Sequence, residues 1–96
     1  MTAYWISVYD EITDEAKMAA YAALAKPALE GGGGTFIARG LPEKTFEAGQ
    51  NTRVVVIRFD SVEQAVAAHD SAAYAAALAA LDGGAVRDIR IIPGID

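Results

Sequence analysis

The sequence predicts an α+β chain built as strand, helix, strand, strand, helix, strand, and three observations carry that expectation. Four short segments, residues 4–9, 35–39, 53–59 and 86–92, are rich in aromatic and β-branched residues and alternate in character. Two longer alanine-rich stretches between them carry apolar residues at helical spacing. Glycine clusters at 31–34 and 83–84 stop each helical stretch before the next strand begins.

In the first strand, residues 4–9, Ile6 and Val8 alternate with Trp5, Ser7 and Tyr9. Thr13 and Asp14 then offer a helix cap, with Glu15 in the first turn, where the helix dipole favours negative charge. Over residues 14–29, Met18, Tyr21, Leu24 and Ala28 recur at helical spacing, and Pro27 is expected to kink or end this helix. Residues 35–39 form the second strand, closed by Gly40-Leu41-Pro42. A short extended piece is expected around residues 45–47, ahead of the turn Gly49-Gln50-Asn51. Residues 53–59 are the strongest strand, with apolar β-formers in succession from Val54 through Ile57. Asp60-Ser61 caps the next helix, and Gln64 stands three residues after Ser61 as in a capping box. This helix runs through Val66 toward His69, is interrupted at Ser71 and resumes over residues 73–81. Residues 86–92 are the last strand. Such an order, with a four-stranded antiparallel sheet and the helices on one face, is the split βαβ pattern of ferredoxin-like folds. With no linker or repeat to divide it, the chain reads as one domain over residues 1–96.

Composition narrows the function classes. An apolar share of 53% excludes a disordered tail, although much of it is alanine and adds little bulk. The absence of cysteine removes disulfides, thiolate nucleophiles and cysteine metal sites, and one histidine excludes a multi-histidine centre, so no metal or cofactor is expected. A net charge of −5 repels phosphate backbones and argues against a nucleic-acid partner. The alanine-rich stretches are broken by Lys17, Lys26, His69 and Asp70, which argues against a membrane span. The chain start runs into a strand pattern without a basic region and apolar core, so no signal peptide is read and a cytoplasmic location is the default expectation.

Strand alternation also predicts self-association. If Ile6, Val8, Val55, Ile57, Phe59, Ile89 and Ile91 face the helices, then Trp5, Ser7, Tyr9, Ile37, Arg39, Val54, Val56, Arg58, Arg90 and Ile92 face away. Trp5, Tyr9, Ile37, Val54, Val56 and Ile92 together make a larger apolar patch than a monomer leaves in water. Covering it with the same face of a second copy gives a two-fold, self-complementary interface and a barrel-like homodimer. Period-two alternation carries this assignment, and a bulge in any strand inverts everything beyond it.

Several segments occur together in a familiar order: Ala3-Tyr4-Trp5-Ile6, Phe36-Ile37-Ala38-Arg39-Gly40, the run from Arg53 to Phe59 with Ser61 after it, and Asp70-Ser71 followed by Tyr74. By their order and spacing the chain resembles, over nearly its whole length, the bacterial family called domain of unknown function 1330. The resemblance implies a ferredoxin-like, dimeric α/β-barrel of uncharacterised function. Related dimeric α/β-barrel families include small monooxygenases, haem-degrading enzymes and muconolactone isomerase-like proteins, so an enzyme is implied by analogy alone. Two departures bear on a site. Ala72 and Ala73 stand where the family often has proline and an acidic residue, and residues 75–81 lack a basic residue common in relatives.

Candidate chemistry is sparse. His69, beside Asp70 at the helix break, is the candidate general base or haem ligand; the plainer reading is a polar residue at a helix end. Arg39, Arg58 and Arg90, all assigned to the dimer face, are candidates to bind a carboxylate or enolate; the plainer reading pairs them with Asp88, Glu47 or partner carboxylates. Trp5 and Tyr9 are candidates to line an apolar ligand pocket, against simple interface packing, while Tyr21 and Tyr74 read as core. Glycines 31–34 lack the ending of a phosphate loop and follow a helix, so they are a turn. Asp10, Glu11, Asp14 and Glu15 read as a solvated helix start and not as a cation site. Two functions remain open. One is a small protein that binds or transforms a carboxylated or enolic compound without metal, monooxygenase- or isomerase-like by analogy. The other is a non-catalytic dimerisation or accessory module.

Overall fold

The computed structural model describes residues 1–95; residue 96, the end of the expected 1–96 span, lies outside the described residues. Its elements in chain order are β1 (Ala3–Ile12), α1 (Glu15–Gly31), β2 (Thr35–Gly40), β3 (Val54–Phe59), α2 (Val62–His69), α3 (Ala72–Leu81) and β4 (Ala85–Pro93). The strands form one antiparallel sheet of order β2-β3-β1-β4, and the helices cover one face of it. This is a ferredoxin-like α+β fold. None of the helices among the described residues is long and apolar enough to cross a membrane.

Local chemistry sets the element ends. Asp14 caps α1 by accepting a hydrogen bond from the Lys17 backbone N–H at 3.0 Å. Ser61 caps α2 through the Gln64 N–H at 3.1 Å, while the Gln64 side chain accepts from the Asp60 N–H at 3.0 Å. Ser71 serves two helices at once: its hydroxyl donates to the Ala68 carbonyl at 2.8 Å and accepts from the Tyr74 N–H at 3.2 Å. The expected interruption at Ser71 is therefore a full break between α2 and α3.

Pro27, expected to kink or end α1, does not end it. The helix runs one more turn, to Gly31, held by bonds that do not need the proline nitrogen: Gly32 N–H to Ala28 O at 3.1 Å, Gly33 N–H to Glu30 O at 3.0 Å and Gly34 N–H to Leu29 O at 2.8 Å. At Gly34 the chain enters β2 so close to the core that a Cβ would meet Phe59 Cζ at 2.8 Å and Ile57 Cγ2 at 2.9 Å. The extended piece expected at residues 45–47 is not a strand. Glu47 adopts a left-handed φ of 52° there, and the Gly49 N–H closes a turn on Phe46 O at 2.9 Å.

Two features correct the expected strand faces. In β1 the alternation is the reverse of the expectation. Trp5 stands opposite Ile57 and Ile91, Ser7 opposite Val55 and Ile89, and Tyr9 opposite Arg87, so Trp5, Ser7 and Tyr9 face the helices. Tyr4, Ile6 and Val8 turn outward with Val54, Val56, Arg58, Arg90 and Ile92. Bulk decides the matter: the fully buried Trp5 indole stacks on Phe59 at 6.3 Å and meets Tyr74 edge-on at 5.3 Å, filling space that isoleucine would leave empty. In β2 the register slips between Phe36 and Ala38, with Ile37 as the extra residue. Phe36 lies opposite Ile57 and Arg39 opposite Val55, so Arg39 also moves from the expected outer face to the helix side. The outer face stays apolar after both changes, because β1 is apolar on each side. Replacement of Trp5 by alanine is expected to cost about 3–5 kcal/mol in chemical denaturation. A cost under about 1 kcal/mol would return Trp5 to the outer face.

Candidate functional site

Burying β1 by its aromatic side opens a cavity of about 50 Å³ between α1 and the helix-facing side of β1, β2 and β3. Its floor is Trp5, Ser7, Val55 and Ile57, and Met18, Leu29 and Phe36 close its sides. Ser7 is a polar residue buried among apolar ones, and its Oγ accepts a hydrogen bond from Trp5 Nε1 at 2.8 Å. Three cations also line the cavity, and their exposure marks its open side: exposed Lys26 from α1, exposed Arg39 turned inward by the β2 bulge, and half-buried Arg53 at the entry to β3. Lys26 is paired with Glu30 at 3.5 Å. Neither Arg39 nor Arg53 has a carboxylate within ion-pair distance among the described residues. The Arg53 Nε is buried without a hydrogen-bond partner, and its guanidinium lies 6.0 Å from the Tyr9 ring centre.

The structure sorts the candidates predicted from sequence into three places. Trp5, Tyr9 and Arg39 come together at this cavity, on the face opposite to the expected one. Arg58 and Arg90 stay on the outer face and are paired, Arg90 with Asp88 at 2.7 Å and Arg58 with Asp60 at 3.7 Å. His69 joins neither group. It ends α2 with its ring against Trp5 at 5.7 Å and Tyr74 at 5.4 Å, and its Nδ1 lies 2.9 Å from Asp70 Oδ1, in an exposed pair. Among the described residues no cluster of three or more His, Cys, Asp or Glu could hold a metal ion. Arg53, at the cavity, and Arg87, on Tyr21, are not among the candidates expected from sequence. The signal was present: each shares strand parity with residues assigned to the helix side, Arg53 with Val55 and Ile57, Arg87 with Ile89 and Ile91.

A family model described as Domain of unknown function (DUF1330) matches residues 2–95. The chain belongs to the DUF1330 family. No curated protein matches it. Among solved structures, it is similar to a protein of unknown function from Rhodopseudomonas palustris, at 16% identity and a TM-score of 0.73, covering 99% of this chain and 83% of that one. It is also similar to a dimeric ferredoxin-like protein of unknown function from Thermobifida fusca, at 23% identity and a TM-score of 0.65, covering 98% and 92%. A third likeness is to SnoaB, a cofactor-independent oxygenase from Streptomyces nogalater, at 10% identity and a TM-score of 0.70, covering 99% and 94%. At such identities these likenesses show the fold.

Beside the cavity, the DUF1330 chain carries a buried phenol–guanidinium cluster. Arg87 Nη1 donates to the Tyr21 hydroxyl at 2.8 Å, and the Tyr21 and Tyr74 hydroxyls share a hydrogen bond of 2.7 Å. The Arg87 guanidinium lies 4.6 Å from the Tyr21 ring centre and 5.6 Å from that of Tyr9, so π faces take the place of a carboxylate partner. Burial pushes the Tyr21 phenol well above its ordinary range, and the hydrogen bond to Tyr74 adds to this, while Arg87 acts the other way. Burial likewise raises Tyr9 against the opposing pull of Arg87. Both phenols in this DUF1330 site are therefore neutral hydrogen-bonding groups and not bases at physiological pH.

A stability consequence follows from their direction of shift. Above about pH 10 the tyrosines of the unfolded chain lose their protons while Tyr9 and Tyr21 keep theirs in the fold. The folded state then binds more protons, so stability present below pH 10 falls as pH rises beyond it. Denaturation midpoints measured from pH 8 to 11 should decline at the alkaline end, and Tyr21→Phe should flatten that decline while lowering stability by about 1–3 kcal/mol at pH 8.

Proposed function

We propose that this DUF1330 protein is a homodimer, joined through the outer faces of its sheets, that binds a small carboxylated or enolic molecule in the cavity beneath α1. One observation carries the binding reading: Arg39 and Arg53, neither paired with a carboxylate, stand at the open end of an otherwise apolar cavity in a chain of net charge −5. In such a protein acidic partners are plentiful, and a guanidinium held away from them beside an apolar pocket suits a planar anion taken in two-point fashion. The lining offers cations and neutral donors and includes no carboxylate or imidazole side chain. It is thus built to hold an anion and stabilise it. With no base in the lining to take a proton, it suits a molecule that arrives already as the carboxylate or enolate, and a conversion of the metal-free monooxygenase or isomerase kind is drawn by analogy with the fold alone.

The dimer reading rests on the outer face. Ile6, Val8, Val54, Val56 and Ile92 make a continuous apolar surface, flanked by the Asp88–Arg90 pair. Its centre is Val56, opposite Ile6 on the neighbouring strand. Light scattering of the wild type should give twice the protomer mass of 10.0 kDa, and Val56→Asp should give a single protomer mass. A Val56→Asp protein that stays a normal dimer places the interface elsewhere.

For the site, calorimetric titration with pentanoate and benzoate should show binding to the wild type that Arg53→Met weakens about 10- to 100-fold, the loss expected for a charge-assisted hydrogen bond. No heat with either acid, at a circular dichroism spectrum like that of the wild type, would leave the non-catalytic dimerisation module, the reading that the small cavity volume favours.

A further inference from the structure

The anion reading concerns the open end of the cavity; the closed end holds an unused donor. Ser7 is 4% exposed, and its Oγ accepts from Trp5 Nε1 at 2.8 Å. A serine hydroxyl has one proton to give besides its lone pairs. Among the described residues nothing accepts that proton: the bond from Trp5 is the one hydrogen bond Ser7's side chain makes. A buried donor left without an acceptor is costly, so its persistence inside a cavity needs an explanation.

The partner of Ser7 is held in place. Trp5 cannot swing away, because Phe59 stacks on it at 6.3 Å, Tyr74 meets it edge-on at 5.3 Å and His69 tilts against it at 5.7 Å. With the indole N–H occupying one lone pair of Ser7, the hydroxyl proton is left to point elsewhere, and Ser7 lines the cavity.

The sheet register relates this donor to the cations. Ser7 on β1 and Arg39 on β2 both lie opposite Val55 on β3, so the three form one row across the sheet. Two strand spacings put the Ser7 and Arg39 backbones about 10 Å apart. Arg53 lies two residues before Val55 on the same face, beside Tyr9. Apolar side chains fill the interval, chiefly Val55, Ile57 and Met18.

Resting on the anion site proposed above, we infer that the natural ligand is a short oxo-acid, whose carbonyl oxygen accepts the Ser7 proton at the closed end while its carboxylate meets Arg39 and Arg53 at the open end. Only the oxo end enters the cavity of about 50 Å³; the carboxylate sits at the mouth. Ser7 is then the residue that selects an oxo-acid from a plain fatty acid of equal length. The discrimination is that of one neutral hydrogen bond, which the acid lacking the carbonyl cannot make.

The test compares 4-oxopentanoate with pentanoate by calorimetry. Wild type should bind 4-oxopentanoate about 3- to 10-fold tighter than pentanoate, the range of one neutral hydrogen bond, and Ser7→Ala should abolish this difference between the two acids. The carbonyl stretch of bound 4-oxopentanoate should shift to lower frequency in the wild type, a readout that holds even where Ser7→Ala folds poorly. The chain's one tryptophan, Trp5, reports occupancy through its fluorescence. Equal binding of the two acids with an unshifted carbonyl would overturn the role of Ser7 and leave the anion site standing. Failure of both acids to bind would overturn the anion site and the oxo-acid with it.

Discussion

β1 lies inside the sheet, hydrogen-bonded to β3 on one side and β4 on the other, so whichever way its side chains alternate is imposed on both neighbours. The Trp5 indole decides that alternation. It occupies the space bounded by Phe59, Tyr74 and His69, and from its position follow the rows Ala3–Phe59, Trp5–Ile57 and Ser7–Val55. A buried indole N–H must also find an acceptor, and the strand supplies one two residues along, on the same face. Burying the tryptophan therefore brings a serine into the core with it. The polar floor of the cavity is a by-product of the packing that holds the sheet together.

The protein handles its arginines in two different ways. On the outer face, Arg90 and Arg58 lie next to aspartates two positions away along the chain, in exposed pairs that add little to stability. On the helix side, carboxylates are replaced by aromatic faces: Arg87 lies over Tyr21 and Tyr9, and Arg53 lies near Tyr9. A guanidinium solvated by rings keeps its full charge available to whatever approaches, whereas one locked to a carboxylate presents a neutral pair. This difference separates the paired outer face from the cavity proposed to take an anion.

Much of the fold was legible because local signals agreed. Asp14, Ser61 and Ser71 are caps by residue type, glycines 31–34 and 83–84 are stops, and the run Val54 to Ile57 is a strand by any criterion. The site was less legible, for a reason particular to this chain. Binary alternation fixes a strand's faces when one side is polar, but β1 offers Trp5 and Tyr9 on one side and Ile6 and Val8 on the other. Side-chain volume breaks that tie and pattern does not, so alternation puts Trp5 and Tyr9 on the wrong side, and the structure has both lining the cavity on the helix side. Arg39 was misplaced by a bulge, whose extra residue, Ile37, is an ordinary β-former with no glycine to mark it. His69 and Asp70 drew attention as a reactive pair and prove to be a neighbour contact at a helix end.

The Ile37 bulge, more than the identity of any residue in β2, determines where Arg39 points. Drawn into strict alternation with no residue set aside, the same strand would deliver the guanidinium to the outer side of the sheet, whereas deleting Ile37 would leave Arg39 opposite Val55 on the helix side. Every residue that defines the pocket would still be present in the sequence. Two strands of the same amino acids, one bulged and one regular, would thus differ in where they hold charge, while a one-residue gap at the bulge would leave the guanidinium on its side of the sheet.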